Sequence, residues 1–494
     1  MVWQRNGTPD TLTVAGDVNE VTDLSGLKTN FMLNHQLNSG QLITGLRINN
    51  VSATDYARRF STNGGTDGTD TNSNQFSAMT TGVDSFDEFC VGYVNGVSSQ
   101  EKLGLVWVMG RGTAGAANAP TRRENANKWA DTSNTVNELN VVNTGTGDLA
   151  IDTNLSVLGD VVPPPAAVGG WVELGRTTLG SSNATIDVTS LSDKRYLMVL
   201  CSSTGVSAGA NTGTQLNADI GNNYARRGSN NGSSDSADTS FNDMEAGATS
   251  TEPYFQIGYL SNFATKEKLL ISHLVAQTTA GGGTAPFRNE SVGKHAQTTN
   301  PVSSYQWITS AAATFDTGSE CVVLGWDPTD THTTNFWEEI FSEKLTSNLQ
   351  EFDTGTITAK KYLWLQFYQV GHTGNSILTF NADTGTNYAR RHEINGAVDA
   401  TVTSQTGLVN VLTGGTGDNQ TLTNMFIINN SADEKLMIFS TTFDTASGAA
   451  TAPMKILGVC KWANTSAQIT RIQVDDNTGT GFNAPSFLKI WGAD

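Results

Sequence analysis

Along the chain, apolar residues come in runs of roughly four to eight, rich in β-branched and aromatic types. Clusters of Gly, Asn, Asp, Ser and Thr separate them. That pattern predicts strands and turns. In the middle third it places strands near 171–174, 184–188, 195–202, 214–217, 223–227, 254–260, 268–276, 304–308 and 320–326. One stretch, 337–348 (WEEIFSEKLTSN), has a helix-like mixture of residues. Its counterparts at 3–14 (WQRNGTPDTLTV) and 171–182 (WVELGRTTLGSS) do not, so it too is read as strand. Eight or nine short strands in about 160 residues predict an all-β fold of three tandem β-sandwich domains. The domains are expected to be jelly-roll-like, because two packed sheets bury one face of every strand.

The threefold division comes from self-similarity at whole-domain spacing. Tyr56-Ala57-Arg58-Arg59 recurs as Tyr224-Ala225-Arg226-Arg227 and Tyr388-Ala389-Arg390-Arg391, each seven residues after an Asn: Asn49, Asn217 or Asn381. Other landmarks hold the same register. Trp3, Trp171 and Trp337 open the copies, and Glu101-Lys102-Leu103 matches Glu267-Lys268-Leu269 and Glu434-Lys435-Leu436. Ala119-Pro120 matches Ala285-Pro286 and Ala452-Pro453, and Lys128 matches Lys294 and Lys461. The expected domains are residues 1–160, 169–327 and 335–494, joined by a proline-stiffened connector at 161–168 (VVPPPAAV) and a polar one at 328–334 (PTDTHTT). Connectors this short force neighbouring domains to touch. Repeating one step then gives a closed pseudo-threefold cluster, the arrangement expected here, or a short rod. In the Glu-Lys-Leu strand, Leu103 and Leu105 with their counterparts read as core, whereas Trp107, His273 and Ser440 are expected to drift out of it near the strand end.

Composition narrows the partners. The 494 residues carry 29 Lys and Arg against 47 Asp and Glu, a net charge of −18 spread evenly over the copies. No segment offers the basic stripe that nucleic acid or an anionic membrane would need. The N-terminus lacks the features of a signal peptide. Cys90, Cys201, Cys321 and Cys460 lie far apart without metal-ligand spacing and read as buried thiols. No metal or other cofactor is expected.

The repeated tetrapeptide is the main candidate site. Strand alternation puts Tyr56 and Arg58 on one face and Ala57 and Arg59 on the other, and likewise Tyr224 and Arg226 against Arg227, and Tyr388 and Arg390 against Arg391. The expectation is a tyrosine anchoring a sheet corner, one arginine paired with a carboxylate and the other lying along the surface. The alternative is a carboxylate or sugar-acid site used three times, but no repeated aromatic platform accompanies it. In the preceding loop Asp219 and Asp383 could offer oxygens to calcium. They also suit a turn, and copy one has Val51 there. The stretches 113–120, 279–286 and 445–453 look flexible and lack the context of a phosphate loop. His35, His273, His295, His332, His372 and His392 share no position common to all copies, and the Glu of Glu-Lys-Leu is the only acid kept in all three. No acid/base pair or activated nucleophile is nominated, so no enzyme is expected. The polar inserts 60–88, 228–253 and 392–424 differ most between copies and are where a partner would be distinguished.

The stretches 171–191 (WVELGRTTLGSSNATIDVTSL), 194–200 (KRYLMVL) and 381–391 (NADTGTNYARR) resemble repeated β-sandwich structural proteins of tailed phages, especially those of marine genomes. The resemblance implies a virion component made in the host cytoplasm and released by lysis, with other virion proteins such as a major capsid or tail protein as partners. No functional residue is carried over from it. The expected function is a capsid-decorating or cementing protein built as a three-domain pseudo-trimer. The alternative is a tail fibre or receptor-binding protein recognising a surface glycan, with three copies giving avidity.

Overall fold

The computed structural model describes residues 2–25, 28–79, 86–161, 169–245, 250–310, 312–371, 375–409, 411–412, 420–477 and 479–494. The expected connector 161–168 lies outside them except for Val161, as does His372.

Each repeat is a two-sheet sandwich. In the second, an eight-stranded antiparallel sheet runs in the order Val172–Thr178, Glu320–Trp326, Tyr196–Ser203, Tyr254–Ser261, Lys268–Ala276, Phe287–His295, Tyr224–Asn230, Ser236–Phe241. A smaller sheet follows the order Thr185–Val188, Tyr305–Thr309, Thr212–Leu216, Met244–Glu245. From 172 to 230 the chain alternates between the sheets with every strand, which is how a jelly roll wraps one core. The first and third repeats keep this order. Their Glu-Lys-Leu strands, Lys102–Gly110 and Lys435–Asp444, pair on both sides just as Lys268–Ala276 does. The stretch with helix-like composition is strand Glu338–Lys344.

Two strands per repeat depart from the expected pattern. Phe287–His295 (FRNESVGKH) has almost no apolar alternation, yet residues 288–295 are all buried. Ser236–Phe241 is a polar edge strand. Apolar periodicity is blind to both: Arg288 and Lys294 of the first are satisfied by neighbouring repeats, and the second is largely exposed at the sheet edge.

The location of the core explains why. Between its two sheets each repeat encloses its own cluster, built around Met32, Val106 and Trp129, around Val199, Leu270 and Trp307, and around Leu365, Met437 and Trp462. The large sheets of the first and third repeats join through the pairing of Val2 with Glu338, and the outer faces of all three repeats' large sheets converge on a fourth, shared cluster. Strand alternation sends Leu105, Ile271 and Ile438 into this shared core. Trp3, Trp171 and Trp337 are each at most 1% exposed there. Trp3 packs edge-on against Trp364 of the third repeat at 4.5 Å, and the Tyr93 hydroxyl meets the Tyr259 hydroxyl at 2.8 Å. The three sandwiches thus surround one aromatic axis. Each has an interior of its own, but an isolated repeat would expose an outer sheet face that is buried here.

Trp107, His273 and Ser440 do not drift from the core. They line the axis together with Tyr93, Tyr259 and Phe426, because their strands run on to Gly110, Ala276 and Asp444 and place them mid-strand. Burial lowers the His273 pKa to about 4, so its imidazole is neutral.

Candidate functional site: the closed interface between repeats

The tyrosine of Tyr-Ala-Arg-Arg closes each sandwich corner. Tyr56, Tyr224 and Tyr388 are fully buried. The Tyr224 hydroxyl donates toward Leu216 O (3.2 Å) and Asp219 O (3.0 Å) and accepts from Leu216 N (3.0 Å). Tyr56 and Tyr388 repeat this with Ile48 and Val51, and with Phe380 and Asp383. The hydroxyl therefore holds a loop that enters through two left-handed residues, Asn217 (φ 56°) and Ala218 (φ 53°) in the second repeat. The first arginine pairs within its own hairpin in two copies, Arg58 with Asp70 (2.5 Å) and Arg226 with Asp238 (2.6 Å). Arg390 instead stands opposite Val402.

The second arginine does not lie along the surface. Arg227 Nε donates to Pro120 O of the first repeat (2.8 Å), Arg391 Nε to Pro286 O of the second (2.8 Å), and Arg59 Nε to Pro453 O of the third (3.0 Å). Each reaches the Ala-Pro landmark of the preceding repeat, and the first repeat reaches the third. The chain closes on itself.

The other repeated landmarks form the same joint. Glu267 accepts from Gly115 N (2.6 Å), Glu434 from Gly281 N, and Glu101 from Gly448 N (2.6 Å). Lys294 Nζ donates to Arg111 O and Thr113 O, Lys461 Nζ to Thr279 O (2.5 Å), and Lys128 Nζ to Ala446 O (2.7 Å). The stretches that looked flexible are thus held by a glutamate, a lysine and an arginine of the next repeat. All three joints are head-to-tail, and such contacts form a ring only when the rotation closes.

At one end of the axis the joints meet in a buried ring of charge. Arg122 contacts Asp235 of the second repeat (2.6 Å), Arg288 contacts Asp399 of the third (2.6 Å), and Lys455 contacts Asp67 of the first (3.3 Å). Glu124, Glu290 and Glu393 sit between these cations. Arg122 faces Glu124 and Glu290, Arg288 faces Glu290 and Glu393, and Lys455 faces Glu393 and Glu124. Burial works against the charge on Arg122, but Glu124, Asp235 and Glu290 outweigh it and hold the guanidinium charged. Burial also raises the Glu124 pKa against the pull of Arg122.

The third glutamate comes from a different strand position. In the first two repeats Glu124 pairs with Ser61 and Glu290 with Ser229 across the ladder. In the third, Glu393 pairs with Leu457, so acid and partner have exchanged strands. The ring keeps three axial carboxylates although the residue-by-residue register is broken, and this is why sequence alignment of the copies does not reveal it. Turn glycines Gly64, Gly232 and Gly396, all at positive φ, press against Asp235, Asp399 and Asp67 where a Cβ would collide.

The Asp219 and Asp383 carboxylates serve their own loops. Asp219 accepts from Gly221 N, Asn223 Nδ2 and His295 Nε2, and Asp383 from Gly385 N, Asn387 Nδ2 and Trp462 Nε1. These bonds hold both pKa values below the usual carboxylate range against the opposing effect of burial. Among the described residues no group of three or more His, Cys, Asp or Glu is arranged to hold a metal ion. All four cysteines are buried and free. Of the inserts, 60–88, 228–253 and 392–424, the described parts contribute Asp67, Asp235, Glu393 and Asp399 to the ring.

No protein-family model matches the chain, and no curated protein matches it. Among solved structures it is similar to the LG1-3 region of the laminin alpha2 chain, at 8% identity with 96% of this chain and 95% of that one covered, and a TM-score of 0.16. Mouse laminin alpha1 domains LG4-5 match at 12% identity, covering 68% of this chain and 94% of that one, again with a TM-score of 0.16. At such scores the likeness carries no argument.

Proposed function

We propose that this chain is a structural protein of a phage virion, a capsid-decorating or cementing protein that acts as a covalently linked pseudo-trimer. The observation that carries this reading is the closed ring. The second arginine, the Ala-Pro carbonyl, the glutamate of Glu-Lys-Leu and the strand lysine all join one copy to the next, so these repeated features serve assembly rather than three copies of a reaction centre. A rigid body with pseudo-threefold symmetry matches a threefold position of a shell, where three equivalent underlying subunits present the same surface three times. Fusing the copies lets their surfaces differ while the joint stays common. A tail fibre would favour collinear domains, so closure supports the shell reading over the fibre reading. Purified particles test it. The protein should be found on intact virions at a copy number matching the threefold or quasi-threefold positions, and its absence from them, or recovery only with detached tails, would overturn the proposal.

A further inference from the structure

Of the three joints, two connect repeats that follow one another in the chain. The third, between the third repeat and the first, is the seam at which the ring closes. Its landmark contacts match those of the other joints, with one addition. Counting back from Gly448, Gly115 and Gly281, the same position is Asp444 at the seam, Arg111 at the joint between the first and second repeats, and Gln277 at the joint between the second and third. At the other joints Arg111 pairs with Asp87 (3.4 Å) and Gln277 donates to Glu252 (2.9 Å), so only at the seam is this position itself an acid, facing the joint's lysine directly. Asp444 is fully buried, as is Lys128, and Glu101 is 2% exposed.

The geometry around these three groups is under-protonated. Lys128 Nζ lies 2.7 Å from Asp444 Oδ1 and 3.8 Å from Glu101 Oε2, and Gly448 N–H serves Glu101 Oε1. The two remaining oxygens, Glu101 Oε2 and Asp444 Oδ2, are both buried with no donor. Both carboxylates flank the one Lys128 ammonium, and a single proton held between them would give each of the two bare oxygens a partner. The other ionisable groups nearby do not supply it. Lys102 turns its ammonium to Gln100 O and Asp131 O, and the Tyr368 hydroxyl is engaged with Gln420.

We propose that closure of the ring is proton-linked: Glu101 and Asp444 share one proton across the seam, and its loss leaves two carboxylates facing one lysine and loosens the contact between the third and first repeats. Burial, followed by the bond to Asp444, pushes the Glu101 pKa up to about 7. The sign follows from linkage. A carboxyl raised in the folded state holds a proton that the unfolded chain has released, so this contribution is intact near the unfolded value and is lost as pH rises toward 7. At the joint between the first and second repeats the counterpart of Asp444 is Arg111, and that joint serves as the internal control.

The test compares unfolding of the full chain with Glu101→Gln, Asp444→Asn and Glu267→Gln at pH values from about 5 to 8. The wild-type folding equilibrium should weaken with rising pH, approaching tenfold per pH unit at the steepest point relative to Glu101→Gln and to Asp444→Asn, with Glu267→Gln tracking wild type. If a variant does not fold, infrared spectroscopy of wild type in heavy water should show a protonated carboxyl band that fades as pH approaches neutrality. Parallel pH profiles for wild type and both seam variants, or no such band, would overturn the proposal.

Discussion

The exchanged glutamate offers a demanding perturbation of the charge ring. Glu393 and Leu457 stand directly opposite one another on antiparallel strands, so their side chains share a face with Cβ atoms roughly 5 Å apart. Leu457→Glu alone would set two carboxylates side by side in a buried site. At an effective dielectric near 20, two charges ~5 Å apart repel by about 3 kcal/mol. Losing the Leu457 side chain, which is 2% exposed, adds about 2 kcal/mol. Protonating one acid at pH 7 caps the electrostatic part at roughly 3–4 kcal/mol, so the single substitution should cost about 5 kcal/mol. Glu393→Ser alone should cost about 1–2 kcal/mol, because Arg288 keeps Asp399 and Glu290, and Lys455 keeps Asp67 and Glu124. The double variant recreates the Ser61/Glu124 arrangement of the first repeat and restores the carboxylate count. A double-mutant cycle read from guanidinium unfolding midpoints at constant slope should show a favourable coupling of about 3 kcal/mol. Costs that add to within about 0.5 kcal/mol would refute the ring as a coupled unit.

Other outcomes follow from the same structure. Tyr224→Phe fills the same space but removes the hydroxyl bonded to Leu216 N, Leu216 O and Asp219 O, and should cost about 1–3 kcal/mol by denaturant unfolding; Tyr224→Ala should cost about 3–5 kcal/mol. None of the four cysteines should react with a thiol reagent in the native protein, and all four should react after denaturation under reducing conditions; burial raises the thiol pKa of Cys90, Cys321 and Cys460. Chelation should leave the thermal midpoint unchanged, since Asp219 and Asp383 are saturated by their own loops; a drop of several degrees would revive the calcium reading.

Strands that meet a hydrophobic core were legible from their apolar runs, as in Tyr196–Ser203 and Glu320–Trp326. Phe287–His295 was not, because Arg288, Glu290 and Lys294 are buried against charges and carbonyls of other repeats, and alternation measures only apolar burial. The repeated landmarks were visible as repeats, but a repeat does not say what its residues touch. Arg59 seemed free to lie in solvent because its acceptor, Pro453 O, is 394 residues away. One signal did point to the joint: Lys128, Lys294 and Lys461 recur inside a β-strand, where an isolated ammonium would be costly to bury and so requires a dedicated partner. The third axial glutamate left no such trace, since its move from one strand to its neighbour breaks the register on which comparison of the copies depends.

Closure of the three repeats into one body is tested most directly by small-angle X-ray scattering of the monomeric chain. A compact body of this length has a radius of gyration near ~23 Å. Three domains of ~15 Å radius of gyration spaced ~40 Å apart in a line would give about 36 Å. The closed ring predicts the first value, with a distance distribution of a single peak, and a radius near the second with an extended tail would contradict it.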